Sequence, residues 1–174
     1  MLEITYPNIK KIVILSIFIT ILFSCKSDDS AIVPGVIIDY ELNLTSELAN
    51  LGVGMYVTIT KSPKNKEFSV IDYHNPKFST KTIAQRTNGN GIIIYRKDFY
   101  DYQVFDLTCT YRSFEDYCQL KVDSKNNYIF VCPCCGSEFI VTADGMPTNT
   151  SKAYKPLMQY VARIEGNMLI ISNE

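Results

Sequence analysis

The chain has 174 residues, one histidine and no tryptophan. With His74 alone, no pair of imidazoles can hold a metal, and no Ser-His-Asp set is legible. Glycine is sparse, at 8 residues, and none of it forms a phosphate-cradling loop. No two carboxylates are placed for acid–base work, so nothing in the chain supports catalysis by itself. Neither sign of charge dominates, with 17 basic and 18 acidic residues. That balance carries no basic stripe for nucleic acid and no charged block for a disordered tail. A helix of any length, an internal repeat and a low-complexity segment are missing as well.

What is present begins with an address. Lys10 and Lys11 precede an apolar or hydroxylic run, Ile12 to Phe23. The run is short for a membrane span and has the length of a signal h-region. It ends in Leu22-Phe23-Ser24-Cys25, which resembles the lipobox of bacterial lipoproteins. There the cysteine is acylated and becomes the new N-terminus; an uncleaved anchor is the alternative. Lys26-Ser27-Asp28-Asp29-Ser30 then reads as a polar tether, similar to the surface-export signal of some Gram-negative lipoproteins. The expected organisation is a signal peptide at 1–24, a lipidated tether at 25–34 and one β domain at 35–174. The resemblance implies lipidation (palmitate among the acyl groups) at Cys25 and an outer-membrane lipoprotein facing the periplasm or the cell surface. Several acyl chains would anchor it stably to the membrane. Removing 1–24 takes away only Glu3, Lys10 and Lys11 of the charged residues, so the balance stays near neutral.

The remainder alternates with a period of two. Val36–Leu44, Gly54–Thr60, Phe68–Tyr73, Ile92–Arg96, Tyr102–Leu107, Leu120–Val122, Tyr128–Val131, Glu138–Thr142, Met158–Ile164 and Met168–Ile171 read as strands. Thr45–Leu51 could form a helical turn. Lys61–Lys66 and Pro76–Asn90 read as turn and loop, the latter running into Asn88-Gly89-Asn90-Gly91. Short strands with regular turn signals predict an all-β fold, an antiparallel sandwich or barrel.

Five of the six cysteines fall between Cys109 and Cys135. With Cys25 assigned to lipid, an odd number remains, so they cannot all pair within one chain. Four ligands plus a spare thiol fits the count, as does one disulfide plus three thiols. Cys132-Pro133-Cys134-Cys135-Gly136-Ser137 has the form of a metal-binding knuckle. Proline stiffens its entry, and glycine permits a tight turn with backbone N–H groups facing sulfur.

The two cysteine segments resemble those of a Rieske domain. Asp106-Leu107-Thr108-Cys109-Thr110-Tyr111 is similar to the first cluster loop, normally Cys-Thr-His. Cys132-Pro133-Cys134-Cys135-Gly136-Ser137-Glu138-Phe139 is similar to the second, normally Cys-Pro-Cys-His-Gly-Ser-x-Phe. Asp144-Gly145, Pro156-Leu157, Tyr160 and Glu165-Gly166-Asn167 resemble later family positions, whereas residues 31–90 match less clearly. The resemblance implies a Rieske-like β-sandwich with a two-loop tip at about 109–118 and 132–139, and electron transfer with a redox or surface protein partner. A Rieske [2Fe–2S] centre has two Cys ligands on one iron and two His on the other. Here Tyr111 and Cys135 stand at the histidine positions, so that ligand set is impossible within one chain.

Cys109, Cys118, Cys132 and Cys135 are the expected metal ligands. They would hold a [2Fe–2S] cluster, which the resemblance favours, or Zn²⁺. The resemblance also implies a disulfide between Cys118 and Cys134, leaving Cys109, Cys132 and Cys135 with Tyr111 as a weaker fourth ligand. A metal-free alternative pairs Cys109 with Cys132 and Cys118 with Cys135. A non-redox surface protein stapled by Zn²⁺ or disulfides is the functional alternative to electron transfer. Ser137 matches a family position that hydrogen-bonds cluster sulfur; a turn cap is its plainer reading. Tyr160 matches a supporting tyrosine of the family, or is a core aromatic. His74 is read as a loop residue before Asn75-Pro76, because zinc sites draw on close sequence pairs. Asp28 and Asp29 are read as tether.

Overall fold

Ile92 to Tyr95 is an unbroken run of bulky side chains, which a strand needs only if both of its faces are buried. In the computed structural model of the chain the run lies in that position. The structure describes residues 33–35, 37–61, 68–72, 81–83 and 89–173, all within the unit Ala31–Glu174. The expected signal peptide, Cys25, the start of the tether with Asp28 and Asp29, and His74 lie outside the described residues.

The strands are β1 (Asp39–Asn43), β2 (Tyr56–Lys61), β3 (Phe68–Asp72), β4 (Lys81–Ile83), β5 (Ile92–Arg96), β6 (Tyr102–Asp106), β7 (Lys121–Val122), β8 (Ile129–Val131), β9 (Glu138–Ile140), β10 (Met146–Pro147), β11 (Gln159–Glu165) and β12 (Met168–Ser172). One helical turn, α1 (Ser113–Asp116), and a 3₁₀ turn at Val141–Ala143 interrupt them. Eight strands form one sheet in the order β1-β12-β11-β6-β5-β2-β3-β4, and four form a second in the order β10-β9-β8-β7. Every pairing is antiparallel. The all-β antiparallel class predicted from the alternation is therefore the observed one. Among the described residues no helix is long and apolar enough to cross a membrane.

Alternation sorts the side chains of the central strands into two cores. Val57, Ile59, Ile92, Ile94, Tyr102 and Val104 join Tyr40, Leu42, Leu169 and Ile171 in one cluster. Four strands separate β1 from β2 in the sheet, yet both feed this same cluster, so the sheet curls over it. Tyr56, Ile93, Tyr95 and Phe105 point the other way. There they meet Phe130 and Phe139 of the smaller sheet, with Cys109, Cys118 and Cys132 in the same cluster. Tyr56 meets the Phe130 ring edge-on at 5.3 Å between centroids and Tyr128 at 6.0 Å. The Tyr128 hydroxyl donates to the Gly54 carbonyl at 3.0 Å and ties the small sheet to the large one.

Strands β4 and β10, helix α1 and the 3₁₀ turn at Val141–Ala143 differ from expectation. Strand β4 lies inside the segment expected to be loop, because it pairs with β3 from Phe68↔Ile83 to Val70↔Lys81. A partner edge can make a strand of three residues whose own pattern is too short to show it. Helix α1 was not expected. It is held between two residues in left-handed conformation, Arg112 (φ 48°) and Tyr117 (φ 42°), which limit it to one turn.

Gly91 joins the first half of the large sheet to the site. Its carbonyl accepts the Leu107 N–H at 2.9 Å, and its φ is +107°. A Cβ there would stand 2.2 Å from the Ile59 carbonyl oxygen. Gly91→Ala is expected to cost at least about 3 kcal/mol, from backbone strain plus the clash, as read by chemical denaturation.

Candidate metal centre

The first cysteine loop grows out of β6. Its base is closed by an isolated bridge, Thr108↔Gln119, and by hydrogen bonds from Cys109 N–H to the Cys118 carbonyl (2.9 Å) and Leu120 N–H to the Leu107 carbonyl (2.8 Å). Buried Asp106 sets the exit from the strand. One of its oxygens accepts the Thr108 N–H at 2.6 Å and the other the Tyr160 hydroxyl at 2.5 Å. Burial first, and the Asp106 carboxylate beside it second, push the Tyr160 pKa up, so it stays a donor. Tyr160 is thus both a core aromatic and a support for the loop.

The second loop turns between β8 and β9. Cys132 N–H donates to the Ser137 carbonyl, and Gly136 N–H to the Cys132 carbonyl, both at 2.8 Å. Gly136 has φ +76°, the left-handed turn that the knuckle pattern predicts. The local design repeats in both loops: the N–H of Tyr111 faces the sulfur of Cys109, and that of Ser137 faces the sulfur of Cys135.

The loops converge. The Sγ atoms of Cys109, Cys132 and Cys135 all lie within 4.8 Å of one another, and Cys109 and Cys135 are 3.7 Å apart. These three side chains could hold a metal ion. Zn–S bonds of about 2.3 Å at tetrahedral angles put neighbouring sulfurs about 3.8 Å apart, which the Cys109–Cys135 pair matches, and Cys132 lies within 4.8 Å of both. Cys109 and Cys132 are buried, and Cys135 is half-buried. Tyr111 packs partly buried against the same cluster.

Cys118 does not join this triad. It is bonded to Cys134, across 16 residues of sequence. The expected four-thiolate set is corrected on this point: in the disulfide form Cys118 has no thiolate to offer. The pairings Cys109–Cys132 and Cys118–Cys135 are likewise not formed, since all three remaining cysteines are free thiols. The reason is the shape of the second loop. Cys135 packs against the apolar cluster, whereas Cys134 is exposed and meets Cys118 at the surface. Cys132 stands between the two groups, because its sulfur also lies within 4.8 Å of both disulfide sulfurs.

The thiols differ in how readily they ionise. Burial pushes the Cys109 pKa well up, more than its N–H contact from Tyr111 lowers it. At Cys135 burial acts in the same sense, but the Ser137 hydroxyl, the Ser137 N–H and the neighbouring thiols outweigh it, and the pKa falls below the ordinary thiol value. Ser137 is fully buried and accepts the Ala153 N–H at 2.9 Å. Its oxygen lies 3.1 Å from Cys135 Sγ, with the thiol donating in the neutral state and the hydroxyl able to donate back to a thiolate. Ser137 therefore supports a ligand sulfur and also braces the turn. Sequence reasoning missed Ala153, whose role is a backbone contact that no side-chain pattern could signal.

A [2Fe–2S] centre fits these residues poorly. It needs two ligands on each of two irons, and ligands on different irons are separated by the whole cluster. Among the described residues only three thiols are free, one short of the four ligands that such a cluster needs.

No protein-family model matches the chain, and no curated protein matches it. Among solved structures, it is similar to a chain in a complex of reduced oxygenase and oxidized ferredoxin in carbazole 1,9a-dioxygenase. The TM-score is 0.43, at 14% identity, covering 79% of this chain and 94% of that chain. Sphingomonas yanoikuyae B1 ferredoxin gives a TM-score of 0.39, at 18% identity, covering 78% of this chain and 100% of that one.

In the metal-free protein, Cys135 should be the most reactive thiol. Ser137→Ala removes the hydroxyl that favours its thiolate, so the pH midpoint of its alkylation should move upward. Mass-spectrometric mapping of iodoacetamide labelling against pH reads this, and an unchanged midpoint would remove Ser137 from the account.

Proposed function

We propose that the chain is an envelope lipoprotein whose β domain binds one thiophilic ion, Zn²⁺ in the first instance, through Cys109, Cys132 and Cys135. The observation that supports this is the mutual approach of the three sulfurs within 4.8 Å, with Cys109 and Cys135 at the spacing of thiolates on one ion. Three protein ligands leave a fourth position open to water or to another donor, and Tyr111 is the nearest alternative in the sequence. When bound, the ion supplies positive charge that keeps all three cysteines as thiolates despite their burial. The protein residues orient them: the N–H of Tyr111 faces the Cys109 sulfur, and the N–H and hydroxyl of Ser137 both lie at the Cys135 sulfur. On this reading the domain is a non-redox surface or binding module rather than an enzyme. Its outer-membrane anchoring rests on Leu22-Phe23-Ser24-Cys25 and the Lys/Ser-Asp-Asp tether. Its partner is a surface protein or small donor that completes the ion's shell.

The second reading is electron transfer by an iron–sulfur centre. Its support is that two cysteine loops in Rieske order meet at one end of a β fold, with Cys118 and Cys134 bridging them as in many Rieske domains. Its weakness is the missing second ligand pair.

Metal analysis separates the readings. Anaerobically purified protein should take up one Zn²⁺ per chain. Replacing any one of Cys109, Cys132 or Cys135 by Ser should weaken binding by roughly tenfold or more. Stoichiometric iron with acid-labile sulfide would reverse the order of the two readings. The anchor has its own test. The wild-type protein should partition into detergent and carry acyl groups on its N-terminal cysteine, and Cys25→Ser should move it to the aqueous phase.

A further inference from the structure

The five cysteines of the tip form two groups that share Cys132. On one side its sulfur is within 4.8 Å of the Cys109 and Cys135 sulfurs, and on the other within 4.8 Å of the Cys118 and Cys134 sulfurs. The bond between Cys118 and Cys134 is approachable from one end only. Cys134 is exposed, whereas Cys118 is buried, with 7% of its surface accessible. A thiolate from solution therefore reaches the Cys134 sulfur first, and thiol–disulfide exchange follows access.

From this asymmetry we infer that the Cys118–Cys134 disulfide is a redox switch on the metal centre, and that its reduction supplies a fourth thiolate, Cys118. The inference rests on the triad holding a single ion. The reductant is a dithiol of the envelope or of the medium. Its thiolate attacks Cys134 Sγ, forming a mixed disulfide and breaking the Cys134–Cys118 bond. The electron pair of that bond leaves on Cys118 Sγ. The second thiol of the reductant then attacks the mixed disulfide, departs as an internal disulfide, and releases Cys134. Two electrons and two protons pass from the dithiol to the cysteine pair, and nothing else is consumed.

The released Cys118 lies beside Cys132, a member of the triad, in the same apolar cluster as Cys109. A buried thiolate without a counter-charge is costly, so Cys118 gains by binding the ion that the triad already holds. Cys134 stays in solvent. The oxidised tip is thus a three-thiolate site with an open position, and the reduced tip a closed four-thiolate site. These are the forms associated with exchangeable and with structural zinc. Reduction should lock the ion in, and oxidation should expose it to exchange.

Cobalt(II) in place of zinc gives the test, because its sulfur-to-metal charge-transfer band grows with the number of thiolates. Wild-type full-length protein, loaded with Co²⁺ before and after anaerobic reduction by a phosphine, should show a band stronger by roughly a third after reduction, as three thiolates become four. Competition with a chromogenic chelator should show Zn²⁺ held roughly tenfold or more tighter in the reduced form. Cys118→Ser should keep the weaker band and the looser affinity with or without reductant. Equal bands and affinities in the two wild-type forms would overturn the switch. A Cys118→Ser band as strong as that of reduced wild type would assign the fourth ligand to Cys134 instead and overturn it as well. The Cys109→Ser variant keeps the two layers apart. If its loss abolishes binding while the wild type ignores reductant, the triad stands and the switch falls; if Cys109→Ser binds like wild type in both forms, the triad itself falls. The wild-type comparison needs no substitution, so a variant that fails to fold leaves the result decisive.

Discussion

The position of every sulfur depends on one packing contact, the small sheet against the outward face of β2, β5 and β6. Phe130 and Phe139 on one side and Tyr56, Ile93 and Phe105 on the other close an apolar layer. Cys109 and Cys132 belong to that layer as much as the aromatic rings do, with almost no accessible surface. Free cysteine behaves there as a small apolar residue. The contact therefore does two things at once. It holds the sheets together, and it fixes two loops so that their sulfurs meet. Fully burying side chains of this size contributes about 1.5–3 kcal/mol each, so the loops are held by more than their own hydrogen bonds.

Local chemistry refines that placement. Asp106 links the exit of β6 to β11 through Tyr160, so the first loop is tied to the large sheet by charge-assisted hydrogen bonds. The second loop is tied to the later chain by Ser137 and Ala153. The Cys118–Cys134 bond then joins the two loops directly. A closure of about 15 residues is worth about 3 kcal/mol in the chain-entropy account. The bond also leaves the metal-facing thiols free of pairing partners, because it draws off the one exposed cysteine of the knuckle.

The sequence made some of this legible and hid the rest, for physical reasons. Strands β5 and β6 were readable because burial on both faces demands bulky residues throughout, and β1, β11 and β12 because alternation records one wet and one dry face. Strand β4 was hidden because three residues carry no period of their own. Helix α1 was hidden because its ends are set by left-handed Arg112 and Tyr117, residue types with no preference for that conformation. The knuckle at Cys132–Ser137 was readable from Pro133 and Gly136, which dictate backbone geometry locally. The partner of Cys118 was not readable from spacing; the resemblance alone pointed to Cys134, the residue to which Cys118 is bonded. Spacing limits which cysteines can be near, but whether Cys134 or Cys135 faces outward is decided by which side chain the apolar layer accepts.

The electrostatics of the tip follow from its three free cysteines, Cys109, Cys132 and Cys135. A third thiolate brings a full negative charge into a site where burial already pushes the Cys109 pKa up. Three thiolates on Zn²⁺ sum to a net charge of −1, and no lysine or arginine is hydrogen-bonded to the sulfurs among the described residues. The compensation comes from dipoles instead: two backbone N–H groups and the Ser137 hydroxyl, aimed at Cys109 and Cys135. The N–H dipoles are fixed by the turns themselves, whereas the Ser137 hydroxyl accepts from the neutral Cys135 thiol and turns to donate to its thiolate. At Cys109, where burial outweighs the N–H contact, the charge of an ion is what favours the thiolate. Metal uptake must then release protons, chiefly from the buried Cys109, and must weaken as pH falls.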